Sequence, residues 1–147
     1  MNVLIDADGC PVVDIAIRLC GTYGLPCLLL CDTAHEFHRE GAQTLVVGKG
    51  ADSVDYALVN RVRAGDIVVT QDYGLASMCL ARGAQVLHQD GWAYTPDNID
   101  ALLLLRHNSR KLRASGSRVK GPKKRTQAQN AAFEAALRQM LHTSVQG

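Results

Sequence analysis

Aromatic side chains are scarce: 5% of the 147 residues, with one tryptophan. None lies between residues 106 and 125, the most basic stretch, so that stretch offers no stacking platform for bases and no sign of sequence readout. No apolar run approaches the about 20 residues that cross a bilayer. The run Leu102 to Leu105 is far too short, and the sequence predicts no membrane partner. The amino end lacks a basic segment followed by an apolar one, which argues against a signal peptide and for a cytoplasmic protein. There is no Cys-x-x-Cys. The five cysteines (Cys10, Cys20, Cys27, Cys31 and Cys79) mostly lie in apolar segments and read as reduced core thiols. Cys27 and Cys31 approach His35 and His38 in sequence, but both sit in a predicted strand, about 13 Å apart by strand rise. Zinc is therefore not expected as long as that strand reading holds. Gly48-Lys49-Gly50 lacks the Lys-Ser/Thr ending of a phosphate loop, so nucleotide binding of that type is rejected too.

Charge of one sign is missing from each part of the chain. Residues 1–105 carry 6 basic and 13 acidic side chains, a net of −7. Residues 106–147 carry 10 basic and 1 acidic, a net of +9. Such a split suggests a basic arm that meets a polyanion or docks on the acidic body.

What is present is an alternation of short buried strands and amphipathic helices. Val3-Leu4-Ile5, Pro26–Cys31, Thr44–Val47, Ile67-Val68-Val69 and Gln85–His88 read as strands, the first and the Ile67 strand buried and Pro26–Cys31 apolar throughout and central. Helical spacing follows Pro11 up to Gly24, follows Asp52 up to about Gly65, and fills the stretch up to Arg82. Thr95-Pro96 opens another helix through about Arg106. Thr33–Gly41 reads as loop or short helix. Residues 107–126 lack periodicity and are predicted to be a mobile or ligand-ordered arm. A last helix runs from Thr126 to about His142, with a stripe of Phe133, Leu137, Met140 and Leu141. The expected fold is α/β, a three-layer α/β/α sandwich with a mostly parallel sheet. The domain reading is a core over 1–106, with the arm and last helix, 107–147, packed on the same domain.

In such sheets ligands bind outside the carboxyl ends of the strands. Asp6 ends the first strand and Asp8 follows it by two. Asp52 and Asp55 open a helix on one of its faces, and Thr70 and Asp72 follow the Ile67 strand. Up to five carboxylates could ring one cleft. At 4 Å and an effective dielectric of 20, each pair would repel by about 4 kcal/mol, so a cation is expected among them. Oxygen ligands of this kind favour Mg²⁺ or Mn²⁺, which ready water for attack on a phosphodiester. Taken singly, each acid has an equally good structural reading: Asp52, Asp6, Asp8 and Asp72 could all cap helices. Their joint arrival at one edge raises the functional reading. Asp66, at the start of its strand, belongs to the opposite edge and is excluded. Arg106, Arg110, Lys111, Arg113, Arg118, Lys120, Lys123, Lys124 and Arg125 could neutralise phosphates, and Lys49 could contact one near Asp52. The competing reading is a solvated basic surface. Trp92 and Tyr94 could stack a base, though buried packing is the preferred reading.

Asp6-Ala-Asp-Gly-Cys-Pro-Val, Gly50-Ala-Asp-Ser-Val-Asp, Gly65-Asp-Ile-Val-Val-Thr-Gln-Asp-Tyr-Gly-Leu-Ala, Tyr94-Thr-Pro and Leu112-Arg-Ala-Ser-Gly with Gly121-Pro occur in that order. Together they resemble the bacterial YaiI/YqxD family over nearly the whole chain. That family is uncharacterised and is grouped with PIN-like domains, many of them metal-dependent ribonucleases. The resemblance implies a PIN-like sandwich and a metal-dependent ribonuclease with RNA as partner. Metal would be held by Asp6, Asp55 and Asp72, with Asp8 and Asp52 as neighbours and Thr70 as the hydroxyl two before the last Asp. PIN nucleases often have a further acid soon after that Asp; here the next is Asp90, and Asp8 or Asp52 are the candidates for its place.

A non-catalytic RNA- or ribosome-associated module is the reading from another class. A phosphatase of the haloacid-dehalogenase type is a minor one. Asp6-x-Asp8 and Val69-Thr70 fit its motifs, but its later acidic pair is out of order, since Asp52 and Asp55 precede Thr70.

Overall fold

A computed structural model of the chain describes residues 1–34, 38–48, 53–114 and 124–146. Six strands of the described residues form one sheet: β1 (Val3–Asp6), β2 (Cys27–Asp32), β3 (Gln43–Val47), β4 (Ile67–Val69), β5 (Gln85–Leu87) and β6 (Ala93–Tyr94). Their order is β3-β2-β1-β4-β5-β6. The first five are parallel and β6 is antiparallel to β5. β1 is therefore central, with β2 on one side and β4 on the other. The winding reverses between β1 and β4, the place at whose carboxyl edge sheets of this kind bind ligands.

Among the described residues, five helices cover the sheet: α1 (Val13–Tyr23), α2 (Ser53–Arg61), α3 (Tyr73–Ala81), α4 (Pro96–Ala114) and α5 (Gln127–Gln146). Strand alternation sorts the core into two layers. Val3, Ile5, Leu29, Ile67 and Val69 pack with Leu19 of α1 and with Phe133, Leu137 and Leu141 of α5. Leu4, Leu30, Val68 and Val86 pack on the other face with Val54 and Leu58 of α2, Leu75 and Cys79 of α3, and Ile99 of α4. The fold is thus a three-layer α/β/α sandwich. The predicted stripe of the last helix is the one that docks, with Phe133, Leu137 and Leu141 fully buried and Met140 packed against them.

Local chemistry sets the helix ends. Gly24 closes α1 in the left-handed conformation, φ 68°, and returns its N–H to Cys20 and Gly21 carbonyls. Thr95 and Asn98 cap α4 reciprocally, Asn98 N–H donating to Thr95 Oγ1 at 3.1 Å and Thr95 N–H to Asn98 Oδ1 at 2.9 Å. Thr126 and Gln129 repeat the device at α5. Gly91 turns β5 into β6 at φ 92°. A side chain there would meet the Ala132 carbonyl carbon of α5 at 2.5 Å, so the turn and the last helix approach as only glycine allows.

Two features differ from the sequence expectations. The helix from Pro96 runs on to Ala114, so residues 107–114 are helix and not arm. Leu, Arg and Lys are strong helix formers and carry it without an apolar period. β6 is the second, because a strand of two residues leaves no alternation to read. The cysteines are all free, and only Cys10 is not fully buried. Among the described residues no helix is long and apolar enough to cross a membrane.

Candidate functional site

The carboxyl edge of β1 and β4 carries Asp6 and Asp72. Asp6 follows Ile5 and so falls on the Leu4 side of the sheet, the side that α2 covers. Asp55 sits in the first turn of α2. Asp72 is the N-cap of α3 and its Oδ1 accepts from Gly74 N–H at 2.9 Å and Leu75 N–H at 3.2 Å. It caps the helix, and its charge acts on Asp6.

Thr70 is the joint between the two strands. It is 2% exposed. Its hydroxyl donates to Asp6 Oδ2 at 3.0 Å and accepts from Asp72 N–H at 3.0 Å. One buried hydroxyl thus fixes the positions of Asp6 and of the backbone that presents Asp72.

The electrostatics show convergence. Burial pushes the Asp6 carboxyl up to about 6. The Thr70 hydrogen bond opposes this, and the negative charges of Asp55, Asp72 and Asp8 add to it. Four of the five expected acids are therefore electrostatic neighbours. Cys79, beneath them in the α3 layer, is pushed up to about 12, first by burial and then by Asp55. It is a core thiol and not a nucleophile.

The donor set, carboxylates and a hydroxyl with no sulfur or imidazole, suits a hard cation. Among the described residues, however, no three acidic, histidine or cysteine side chains stand in a ready metal-holding group. Asp52 and Lys49 lie outside the described residues, as do His35, Arg118, Lys120 and Lys123. Arg106, Arg110, Lys111 and Arg113 fall on α4, which fixes their backbone positions. Lys124 is exposed.

Arg125 is placed differently from the expectation of a free phosphate contact. Nη1 donates to Asp90 Oδ1, Nη2 to the Gln89 carbonyl and Nε to Asn130 Oδ1, each at 2.7 Å. Its fork is spent on locking the start of α5 to the end of β5. Nothing in sequence spacing marks a partner 35 residues away. The same lock occupies Asp90, the next acid after Asp72.

An aromatic cluster adjoins the acids. His88 stacks on Trp92 at 4.3 Å, Trp92 meets Tyr94 at 4.7 Å, and Tyr73 meets Tyr94 at 5.9 Å. Tyr94 is buried, so the packing reading holds for it. His88 Nδ1 accepts from Asp90 N–H at 3.0 Å, and burial lowers its proton affinity against the opposing charge of Asp90. The neutral tautomer is therefore a structural one.

Asp66 is at the amino end of β4 as expected, 3% exposed and hydrogen-bonded to Asn2 and Arg63 N–H.

No solved structure matches the chain. The chain is 53% identical to a UPF0178 protein of Exiguobacterium sibiricum over 141 residues, 96% of each protein. It is 46% identical to one from Clostridium acetobutylicum over 143 residues, 96% of this chain and 97% of that one. A third, from Alkaliphilus oremlandii, is 40% identical over 145 residues, 99% of this chain and 94% of that one. The model of the uncharacterised YaiI/YqxD family matches residues 4–143, nearly the whole chain. By that match and those identities, the chain belongs to the YaiI/YqxD family.

Proposed function

We propose that the protein is a PIN-like, Mg²⁺- or Mn²⁺-dependent ribonuclease acting at the carboxyl edge of β1 and β4. The observation that carries this is the raised Asp6 carboxyl, buried on a Thr70 hydroxyl and faced by Asp55, Asp72 and Asp8. A purely structural aspartate gathers donors; this one has one hydroxyl donor and, within electrostatic reach, three further acids. Asp6, Asp55 and Asp72 would hold the metal, with Asp8 and Asp52 beside them. A bound divalent ion would supply charge for the leaving oxygen and a more acidic water. Thr70 keeps Asp6 in place and holds the backbone that presents Asp72. Cations of the stretch from Arg106 to Lys124, and Lys49, would hold the phosphate backbone without reading bases. Arg125 is left out of that set because its guanidinium is bound within the chain.

A second reading is favoured by one observation. Asp90 is paired with Arg125, so the next acid after Asp72 is committed elsewhere. A site lacking that acid could bind RNA without cutting it. The test is incubation of single-stranded RNA with the protein in Mn²⁺, Mg²⁺ or EDTA. The nuclease reading expects metal-dependent cleavage that Asp72→Asn abolishes. RNA binding with a steep salt slope and no cleavage in either metal assigns the binding module instead. Hydrolysis of small phosphomonoesters, lost in Asp6→Asn, assigns a phosphatase.

A further inference from the structure

Beyond the acids, the carboxyl edge carries four rings to which the proposed chemistry gives no task. Tyr73 opens α3 directly after Asp72. His88 and Trp92 bracket the turn from β5 to β6, and Tyr94 lies on β6 beside Val86. β4 and β5 are parallel neighbours, so the start of α3 and that turn stand side by side. The indole of Trp92 lies 4.3 Å from His88 with the planes at 11°, and 6.5 Å from Tyr73 with the planes at 60°. His88 therefore covers one indole face. Trp92 and Tyr73 are both half-buried, whereas Tyr94 is 3% exposed.

The Tyr94 hydroxyl is the anomaly among them. It is buried and has no hydrogen-bond partner among the described residues. Buried tyrosines ordinarily tie that group down, and leaving it unmade costs stability. Phenylalanine would pack the same ring at no such cost. Burial pushes the phenol's pKa up, and Tyr73, Asp72 and Asp90 add to the rise. The oxygen thus keeps its proton and lies within electrostatic reach of Asp72. A donor in this position lacks an acceptor, and a ligand can bring one.

We infer that Tyr73 and Trp92 take a nucleobase of single-stranded RNA between them, with the Tyr94 hydroxyl donating to an acceptor on the edge of that base. A base supplies both missing parts, a flat face for the rings and a carbonyl or ring nitrogen for the hydroxyl. A lipid chain or an aliphatic side chain would leave the hydroxyl unpaired, and a bare phosphate has no face to stack. Residues 115–123 of the chain carry no ring of their own to stack there. The hydroxyl is covered while Tyr73 and Trp92 lean together, so the base enters as Tyr73 turns aside. One donor meets an acceptor on every base, so the site selects a base over none and not one base over another. This deepens the proposed ribonuclease and rests on it, since Tyr73 follows Asp72 and the base belongs to a nucleotide next to the phosphate at the acids.

The chain has one tryptophan, so its emission reports this position alone. The experiment titrates the full chain, in EDTA and at low salt, with a single-stranded RNA oligonucleotide, adenosine 5′-monophosphate, uridine 5′-monophosphate and ribose 5-phosphate. The expected result is saturable quenching by the oligonucleotide and both nucleotides, and none by ribose 5-phosphate. Tyr73→Leu should weaken oligonucleotide binding about tenfold through lost stacking. Tyr94→Phe should weaken it about fivefold and raise the Tm of the free protein, because an unpaired buried hydroxyl is gone. A flat titration with the oligonucleotide overturns the inference, as does quenching by ribose 5-phosphate equal to that by the nucleotides. A lowered Tm in Tyr94→Phe with unchanged affinity overturns the role of the hydroxyl. Metal-dependent RNA cleavage without base-dependent quenching overturns this site and leaves the nuclease reading standing. Base-dependent quenching without cleavage in Mn²⁺ or Mg²⁺ supports the site and overturns the nuclease reading in favour of a binding module.

Discussion

Asp6 and Asp66 stand at opposite ends of one strand pair. β1 and β4 are neighbours in register, Val3 beside Ile67, with Asp6 at the carboxyl end of the first and Asp66 just before the second. Both belong to the interior more than the surface. Their partners differ. Asp66 takes the Asn2 N–H on Oδ1 and the Arg63 N–H on Oδ2, each at 2.9 Å, so two backbone donors compensate its charge. Asp6 receives one hydroxyl and lies among three further carboxylates. The first arrangement stabilises the fold. The second opposes it, and persists only because the surrounding strands and α2 hold it there. Burial of an acid is thus no guide to its role; the sign of what surrounds it is.

The largest expected effect tests the stabilising end. Asp66→Ala leaves two half-buried N–H groups without their acceptor and a gap where a buried side chain stood, and urea unfolding should show a loss of about 2–3 kcal/mol. Asp6→Asn should act in the other direction. It should stabilise the metal-free protein near neutral pH by about 1–2 kcal/mol, because the variant carries no charge to bury beside the other acids. Destabilisation by both changes to the same degree would erase the contrast.

The pH profile sharpens it. Asp6 holds its proton more tightly in the folded chain, where its pKa is about 6, than an aspartate at its ordinary value of 3.8. Its unfavourable contribution is therefore absent below pH 3.8, grows as pH rises to about 6, and is full above that. In EDTA, the difference in unfolding free energy between Asp6→Asn and wild type should widen over that window. A difference flat with pH would contradict the acid cluster.

Millimolar Mg²⁺ or Mn²⁺ should raise the wild-type Tm by about 2–4 °C, the size expected of a ligand a few-fold above its Kd, and should leave Asp6→Asn unchanged. The smallest effect is expected of Thr70→Val, about 1 kcal/mol of stability, with the Asp6 inflection moved upward because its one favourable hydrogen bond is gone.

Much of this edge was legible in the sequence because parallel strands announce themselves as short β-branched runs, and the residues just after each run land at one edge. Ile67-Val68-Val69 is such a run, and Thr70 and Asp72 fall where that rule places them. Strand order was not legible. Nothing in Val3-Leu4-Ile5 says that it pairs with β4 as well as β2, because pairing is settled by packing across the whole sheet. The extension of α4 over residues 107–114 was hidden for another reason. Helix propensity there comes from Arg, Lys and Leu without the apolar spacing that usually marks a helix. In the sequence, Arg125 is one more cation in a run. Only its three-dimensional surroundings separate a structural fork from a solvated charge.

The bond between the Thr70 hydroxyl and the Asp6 carboxylate spans 64 positions of chain. A nascent polypeptide therefore completes β1, α1, β2, β3 and α2 while Asp6 is still without the strand that will hold it. Until β4 arrives, water can hydrate that carboxylate and keep its neighbours' charges apart, so electrostatic strain is deferred until β4 joins the sheet. Cleaving the chain between α2 and β4 should yield an amino-terminal fragment whose acids titrate normally, and mixing it with the remainder should restore the anomalous titration only when the two pieces recombine.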